Sequence, residues 1–152
     1  MNIYTLFKKY KVKIKNDKIF DPIRNKFVAL TPEEIIRQKT ISFLLSYMNI
    51  PADKLCVEIA LSSFGLINNR KRIDIGIFDN DHELIGIVEC KANYIGYGEA
   101  PYIQALDYVL SLGVKYYFVV DGEDFVGYHY DSSNDQFVKL ESIPVYNNLL
   151  SL

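Results

Sequence analysis

The chain reads as a single α/β domain of 152 residues, with a mixed central sheet flanked by helices and a β extension at its N-terminus. Three observations predict that class. One helix opens with a capping signature, three strand-like apolar runs follow it at short intervals, and a second helical stretch precedes the next such run. Strands joined by short links pair as an antiparallel meander, whereas a strand reached through a helix returns parallel to its predecessor.

Residues 1–30 form the extension and residues 31–131, approximately, the core. The alternation Lys11-Val12-Lys13-Ile14-Lys15 has the period of a strand. Asp21-Pro22 and Asn25 mark a turn before Phe27-Val28-Ala29-Leu30. Thr31 is an N-cap, Pro32 suits the first helical position, and Glu34 completes a Thr-x-x-Glu capping box. Ile36, Phe43, Leu44 and Met48 carry this helix to about Tyr47, with Pro51 just beyond. Strands are predicted over residues 55–62, 70–79 and 84–91, the last two joined by a turn at Asn80-Asp81-His82. A loop at 93–98 leads to a helix around 99–112 that Gly113 stops. Strands at 115–121 and 125–130 close the domain.

A composition of 49% hydrophobic and 24% charged residues is that of a globular protein with one core. No apolar run reaches the roughly 18–20 residues of a membrane span, and the N-terminus lacks a secretory pattern, so a cytoplasmic location without a membrane partner is expected. Cys56 and Cys90 both lie in apolar runs and read as buried thiols. A net charge of -2 excludes coating of nucleic acid through bulk charge but leaves local binding open. Lys8, Lys9, Lys11, Lys13, Lys15 and Lys18 form one basic cluster, and Arg70, Lys71 and Arg72 a second. Each is either a solvated arm or a local contact.

The chemistry concentrates at the ends of two strands. Period two puts Glu89 and Lys91 on one side of the strand and Cys90 on the other, toward the core. Asp74 interrupts the apolar series Ile73, Ile75, Ile77, a costly place for a carboxylate unless it is paired or binds a cation. Pairing through the turn at 80–82 sets Asp74 roughly opposite Glu89, where like charges repel. A divalent cation with hard oxygen ligands removes that conflict, and Mg²⁺ or Mn²⁺ suits it. Lys91 is then placed to orient water or to offset charge on a phosphate. A rim network in which Arg72 and Lys91 pair the two carboxylates explains the same residues. The following helix favours the first reading, because Gln104 and Tyr108 stand four apart on one face.

Taken together, Arg72-Ile73-Asp74, Val88-Glu89-Cys90-Lys91-Ala92 and Gln104-x-x-x-Tyr108 resemble the PD-(D/E)xK nuclease superfamily, and within it the N-terminal nuclease domain of type I restriction enzyme R subunits. Phe20-Asp21-Pro22-Ile23-Arg24, Ala29 to Glu34 and Arg37-Gln38 resemble the entry of that domain. The resemblance implies a restriction-endonuclease-like α-β-β-β-α-β core and Mg²⁺- or Mn²⁺-dependent cleavage of DNA. It implies Asp74, Glu89 and the backbone carbonyl of Cys90 as metal ligands, with Glu34 of the first helix as a further candidate. Lys91 becomes the catalytic lysine, assisted by Gln104 and Tyr108. Apart from the resemblance, the basic group Arg70, Lys71 and Arg72 offers candidate DNA contacts, and the loop at 93–98, with Tyr94 and Tyr97, is a surface for stacking on nucleic acid, a mobile flap or an ordinary connection.

Two departures accompany the resemblance. Ile73 stands where the motif has proline. The R subunit continues into an ATP-driven translocase, and this chain has no phosphate-binding Gly-Lys loop, so it reads as a fragment or a free-standing relative. Other restriction-modification or translocase subunits are possible partners, as is a second copy, since cutting both strands often takes two sites. The alternative is a non-catalytic module that keeps the fold for binding DNA or protein. His82, in a turn, and His129, in a strand, are expected to be structural or solvated.

Overall fold

A computed structural model describes residues 9–65, 71–91, 109–120 and 124–151. The N-terminal extension folds as a small antiparallel sheet of β1 (Ile14–Lys15), β2 (Lys18–Asp21) and β3 (Lys26–Ala29). The first helix, α1 (Pro32–Ser46), follows directly. Thr31 caps it, its side chain accepting a hydrogen bond from the Glu34 amide at 3.1 Å.

The main sheet has six strands in chain order: β4 (Leu55–Ala60), β5 (Arg72–Phe78), β6 (Leu84–Cys90), β7 (Tyr116–Val120), β8 (Phe125–Asp131) and β9 (Gln136–Lys139). β4, β5 and β6 are the antiparallel meander expected, and β6 pairs with β7 in parallel, while the predicted loop at 93–98 and the predicted helix up to residue 108 lie outside the described residues. The predicted strand 55–62 is shorter than expected, because Leu61–Phe64 turns into a 3-10 helix that ends at Gly65, whose φ of 87° suits glycine. The sheet also runs past residue 131 into β9, and α2 (Tyr146–Leu150) follows.

Central strands read as near-continuous apolar runs because both faces are covered. All five residues of β7 are buried. On one face Ile41, Phe43 and Leu44 of α1 pack on Ile75, Ile77, Val88, Phe118 and Val120, with Tyr146 and Leu149 of α2. On the other, Ile73, Ile87, Tyr117 and Val119 pack with Leu61, Phe137 and Val109 of the helical residues 109–112. Cys90 is buried as expected, but Cys56 is exposed. β4 is the edge strand of the sheet, so the alternation that covers one of its faces leaves Cys56 in solvent. No helix among the described residues is long and apolar enough to cross a membrane.

One rung of the sheet departs from regular alternation. Val57 packs in the α1-side core and Ile59 in the opposite one. Ile75 and Ile73 on the neighbouring strand switch in the same way. Between them Glu58 takes φ 57°, left-handed in the middle of a strand. The pairs Val57↔Ile75 and Ile59↔Ile73 flank Glu58 and Asp74, so both strands change faces at one rung.

Candidate active site

Helix periodicity sets Glu34, Arg37 and Gln38 on one face of α1, three and four residues apart. All three are buried, at 6%, 5% and 2% exposure. Asp74 is 8% exposed and meets this face because of the irregular rung. Arg37 Nη2 donates to Asp74 Oδ1 at 2.8 Å and to Glu58 Oε1 at 2.9 Å. Arg37 Nη1 donates to Glu34 Oε2, which places one guanidinium among three carboxylates. Arg24 Nη2 donates to Glu34 Oε1, and Gln38 Nε2 reaches the same oxygen at 3.2 Å. The Glu34 carboxylate is therefore turned onto its neighbours, although Thr31 and the Glu34 amide form the first half of the capping box.

Burial opposes charge on Arg37, but the hydrogen bond it donates to Asp74 and the charges of Asp74, Glu34 and Glu58 outweigh it, so its pKa is raised above the arginine range. This side chain stays a cation. Burial, and then the Asp74 charge, push the Cys90 thiol well above its usual range, with Thr40 Oγ1 at 3.9 Å from its sulfur. Cys90 is thus a core thiol and not a nucleophile.

The pairs Ile75↔Val88, Gly76↔Ile87 and Ile77↔Gly86 fix the β5–β6 register as far as Ile75, the neighbour of Asp74. Asp74 Oδ2 accepts from the Cys90 amide at 2.8 Å, which ties the carboxylate to the end of β6. Glu89 is half-buried, and Lys91 Nζ lies 3.9 Å from its Oε2, with 45% of the Lys91 side chain exposed. By alternation Glu89 belongs with Ile87, on the side where Val109 packs. The rim network is thus partly present, with a different partner for Asp74. Arg37 pairs it, while Arg72 donates from Nη1 to the Glu58 carbonyl at 3.2 Å.

Hard carboxylate oxygens on two neighbouring strand ends suit a divalent cation in donor type. Among the described residues, no group of three or more His, Cys, Asp or Glu is arranged to hold a metal ion. Arg37 is the cation on which Glu34, Glu58 and Asp74 converge. An open groove of about 620 Å³ leads to them between β3, the start of α1 and β4, lined by Arg24, Thr31, Glu33, Glu34, Arg37 and Glu58 among others.

Lys71 and Arg72 are exposed at the start of β5. Arg70, Tyr94, Tyr97, Gln104 and Tyr108 lie outside the described residues. His82 is exposed in its turn and His129 is half-buried in β8. Sequence reasoning missed Arg37 and Glu58 as members of the cluster. Glu58 carried the same signal as Asp74, a lone acid in an apolar strand, and Arg37 falls on the apolar side of α1 one turn after Glu34.

The family model described as type I restriction enzyme R protein N terminus (HSDR_N) matches residues 32–144. The match begins at the first residue of α1 and includes Glu34, Arg37, Glu58, Asp74, Glu89 and Lys91. No curated protein matches the chain.

Proposed function

The chain belongs to the family of type I restriction enzyme R protein N-terminal domains, and from that premise we propose that it is a nuclease hydrolysing DNA phosphodiesters with Mg²⁺ or Mn²⁺. The observation that carries this reading is the meeting of Asp74 with the end of β6. One strand's carboxylate is bonded to the Cys90 amide, between Glu89 and Lys91. In this reading Asp74, Glu89 and the Cys90 carbonyl hold the cation, with Glu34 nearby through Arg37. The cation supplies Lewis acidity toward a phosphoryl oxygen and lowers the pKa of water. Lys91, exposed beside Glu89, offers positive charge where negative charge grows on the phosphate. Gln104 and Tyr108 precede Val109, which packs on the Glu89 side of the sheet, and are assigned to positioning the substrate or Lys91.

The N-terminal sheet supports DNA as the partner. Ile19 and Asp21 are buried, so the alternate residues Lys18 and Phe20 take the outer face. Lys15 lies opposite Lys18, and Phe27 opposite Phe20. Lys13 Nζ sits 5.3 Å and 5.6 Å from the centroids of these two rings. Lysines interleaved with aromatic rings suit a phosphodiester strand. Lys71 and Arg72, with Arg70, Tyr94 and Tyr97, are further candidate contacts. Other restriction-modification subunits and a second copy of the chain belong to the same proposal.

Purified protein is expected to nick or linearise plasmid only with Mg²⁺ or Mn²⁺. Lys91→Ala and Asp74→Asn are expected to lower the rate at least a hundredfold, roughly the cost of removing one transition-state partner. Cleavage that persists in Asp74→Asn would defeat the assignment. A second reading, a non-catalytic binding module, is favoured by the Arg37 guanidinium among the carboxylates. Calorimetric titration with Mn²⁺ separates the two, because a module shows no Asp74-dependent binding.

A further inference from the structure

We propose that Arg37 is a built-in cation shared by the carboxylates of the site, holding Asp74 in position and keeping the affinity for a divalent ion low, with Glu58 drawing its charge away from Asp74. This inference rests on the nuclease reading above. Arg37 is 5% exposed and donates to Glu34, Glu58 and Asp74, which come from α1, β4 and β5. A single nitrogen, Nη2, serves both Glu58 and Asp74, so the two acids compete for it. Any cation that arrives at Asp74 meets a positive charge already bonded to one of its oxygens.

Two features argue for more than structural support. Arg37 Nε is buried without a hydrogen-bond partner among the described residues, and so is Gln38 Oε1. Leaving a buried donor unmet is a cost that an arginine retained only for stability has no reason to carry. The second feature is Glu58, whose left-handed backbone is disfavoured for a residue with a side chain. That conformation is what turns its carboxylate toward Arg37 and switches both strands between cores at this rung. The Glu58 side chain is 37% exposed and lines the open groove, so it can let go of Arg37 without disturbing the core.

Because Nη2 is shared with Glu58, the charge of Asp74 is only partly offset; without Glu58 the guanidinium would rest on Asp74 alone and offset it more fully. Arg37 and Glu58 are in this sense positioning residues, acting through Asp74 rather than on the phosphate.

The test is titration calorimetry of the full chain with Mn²⁺, joined to thermal unfolding with and without Mn²⁺. Arg37→Met is expected to bind Mn²⁺ about tenfold more tightly, the scale on which one nearby charge shifts an ionic equilibrium. Its melting temperature falls without the metal, because Asp74 loses the guanidinium bonded to it and Glu34 keeps only Arg24, and Mn²⁺ raises it by more than in the native chain. Glu58→Gln, on the exposed lip, is expected to bind about threefold or more weakly, since the guanidinium then rests wholly on Asp74. If Arg37→Met does not fold, Glu58→Gln decides alone. Asp74-dependent Mn²⁺ binding that is the same in the native chain and in these variants would overturn the shared-cation role and leave the nuclease reading standing. Absence of Asp74-dependent binding in the native chain and in every variant would overturn both.

Discussion

Asp21 is fully buried at the end of β2, where an isolated carboxylate would be expelled or neutralised. It stays charged because donors surround it. The Ile23 amide reaches it at 2.8 Å, the Arg24 amide at 2.9 Å and Arg24 Nε at 2.6 Å. Burial alone would raise its pKa, but these bonds, led by the Arg24 backbone, outweigh burial and hold it below the usual aspartate value. A depressed folded-state pKa stabilises the fold above the unfolded value, near 4, and that contribution is lost as pH falls through the lower folded value. Asp21→Asn is therefore expected to cost about 2 kcal/mol near neutral pH, the scale of hydrogen bonds to a charged group. Urea unfolding of both proteins should show the gap constant near pH 7 and shrinking below about pH 4. A gap that persists undiminished at pH 2 would mean the charge is not what matters. Arg24 also bonds Glu34, so this residue links the extension to the candidate site.

At the scale of elements, period-two alternation accounts for most of the sheet and fails at one rung. Ile73, Ile75 and Ile77 read as one face of β5, yet Ile73 packs in the other core. The switch at Glu58 and Asp74 is not encoded in hydrophobic period, since either face would accept isoleucine. Close packing elsewhere is stricter. Phe118 lies opposite Gly127 in the β7–β8 ladder, and a Cβ on Gly127 would come within 2.8 Å of the Phe118 ring and 2.9 Å of Leu140 Cδ1. The Phe118 ring is buried against Phe125 and cannot swing away. Gly127→Ala is accordingly expected to destabilise by about 1–3 kcal/mol through overpacking, read from the urea midpoint at unchanged m-value. An unchanged midpoint would mean that the β7–β8 contact is looser than described.

At the scale of the whole molecule, charge is unevenly placed. The chain carries a net -2, yet Lys13, Lys15 and Lys18 share the outer face of the N-terminal sheet with Phe20 and Phe27. If this face takes the proposed DNA, binding releases counterions in proportion to the phosphates neutralised. Replacing the three lysines by alanine should reduce the slope of log affinity against log salt by roughly 2–3, measured by fluorescence anisotropy. A slope unchanged by the triple substitution would place DNA on another surface. The same sheet reaches the candidate site through Asp21, Arg24 and Glu34, so the lysine-bearing face and the carboxylates are parts of one connected structure.

Much of this protein is legible in its sequence because the signals are local. The Thr31-Pro32 start of α1, the turn at Asn80 to His82, the stop at Gly113 and the apolar runs of β5, β6 and β7 each depend on near neighbours, and each is where expected. The short β5–β6 link also brings Asp74 to the end of β6 without help from the rest of the chain. β9 and α2 carry weaker patterns and are held by contacts made across the fold, as when Tyr146 Oη donates to the Phe78 carbonyl at 2.7 Å. The partner of Asp74 belongs to that second class. Sequence alone determined that a carboxylate stands in an apolar strand and needs a cation. Only the tertiary structure, by packing α1 on the sheet and turning Glu58 at the shared rung, decided that Arg37 is the cation it meets.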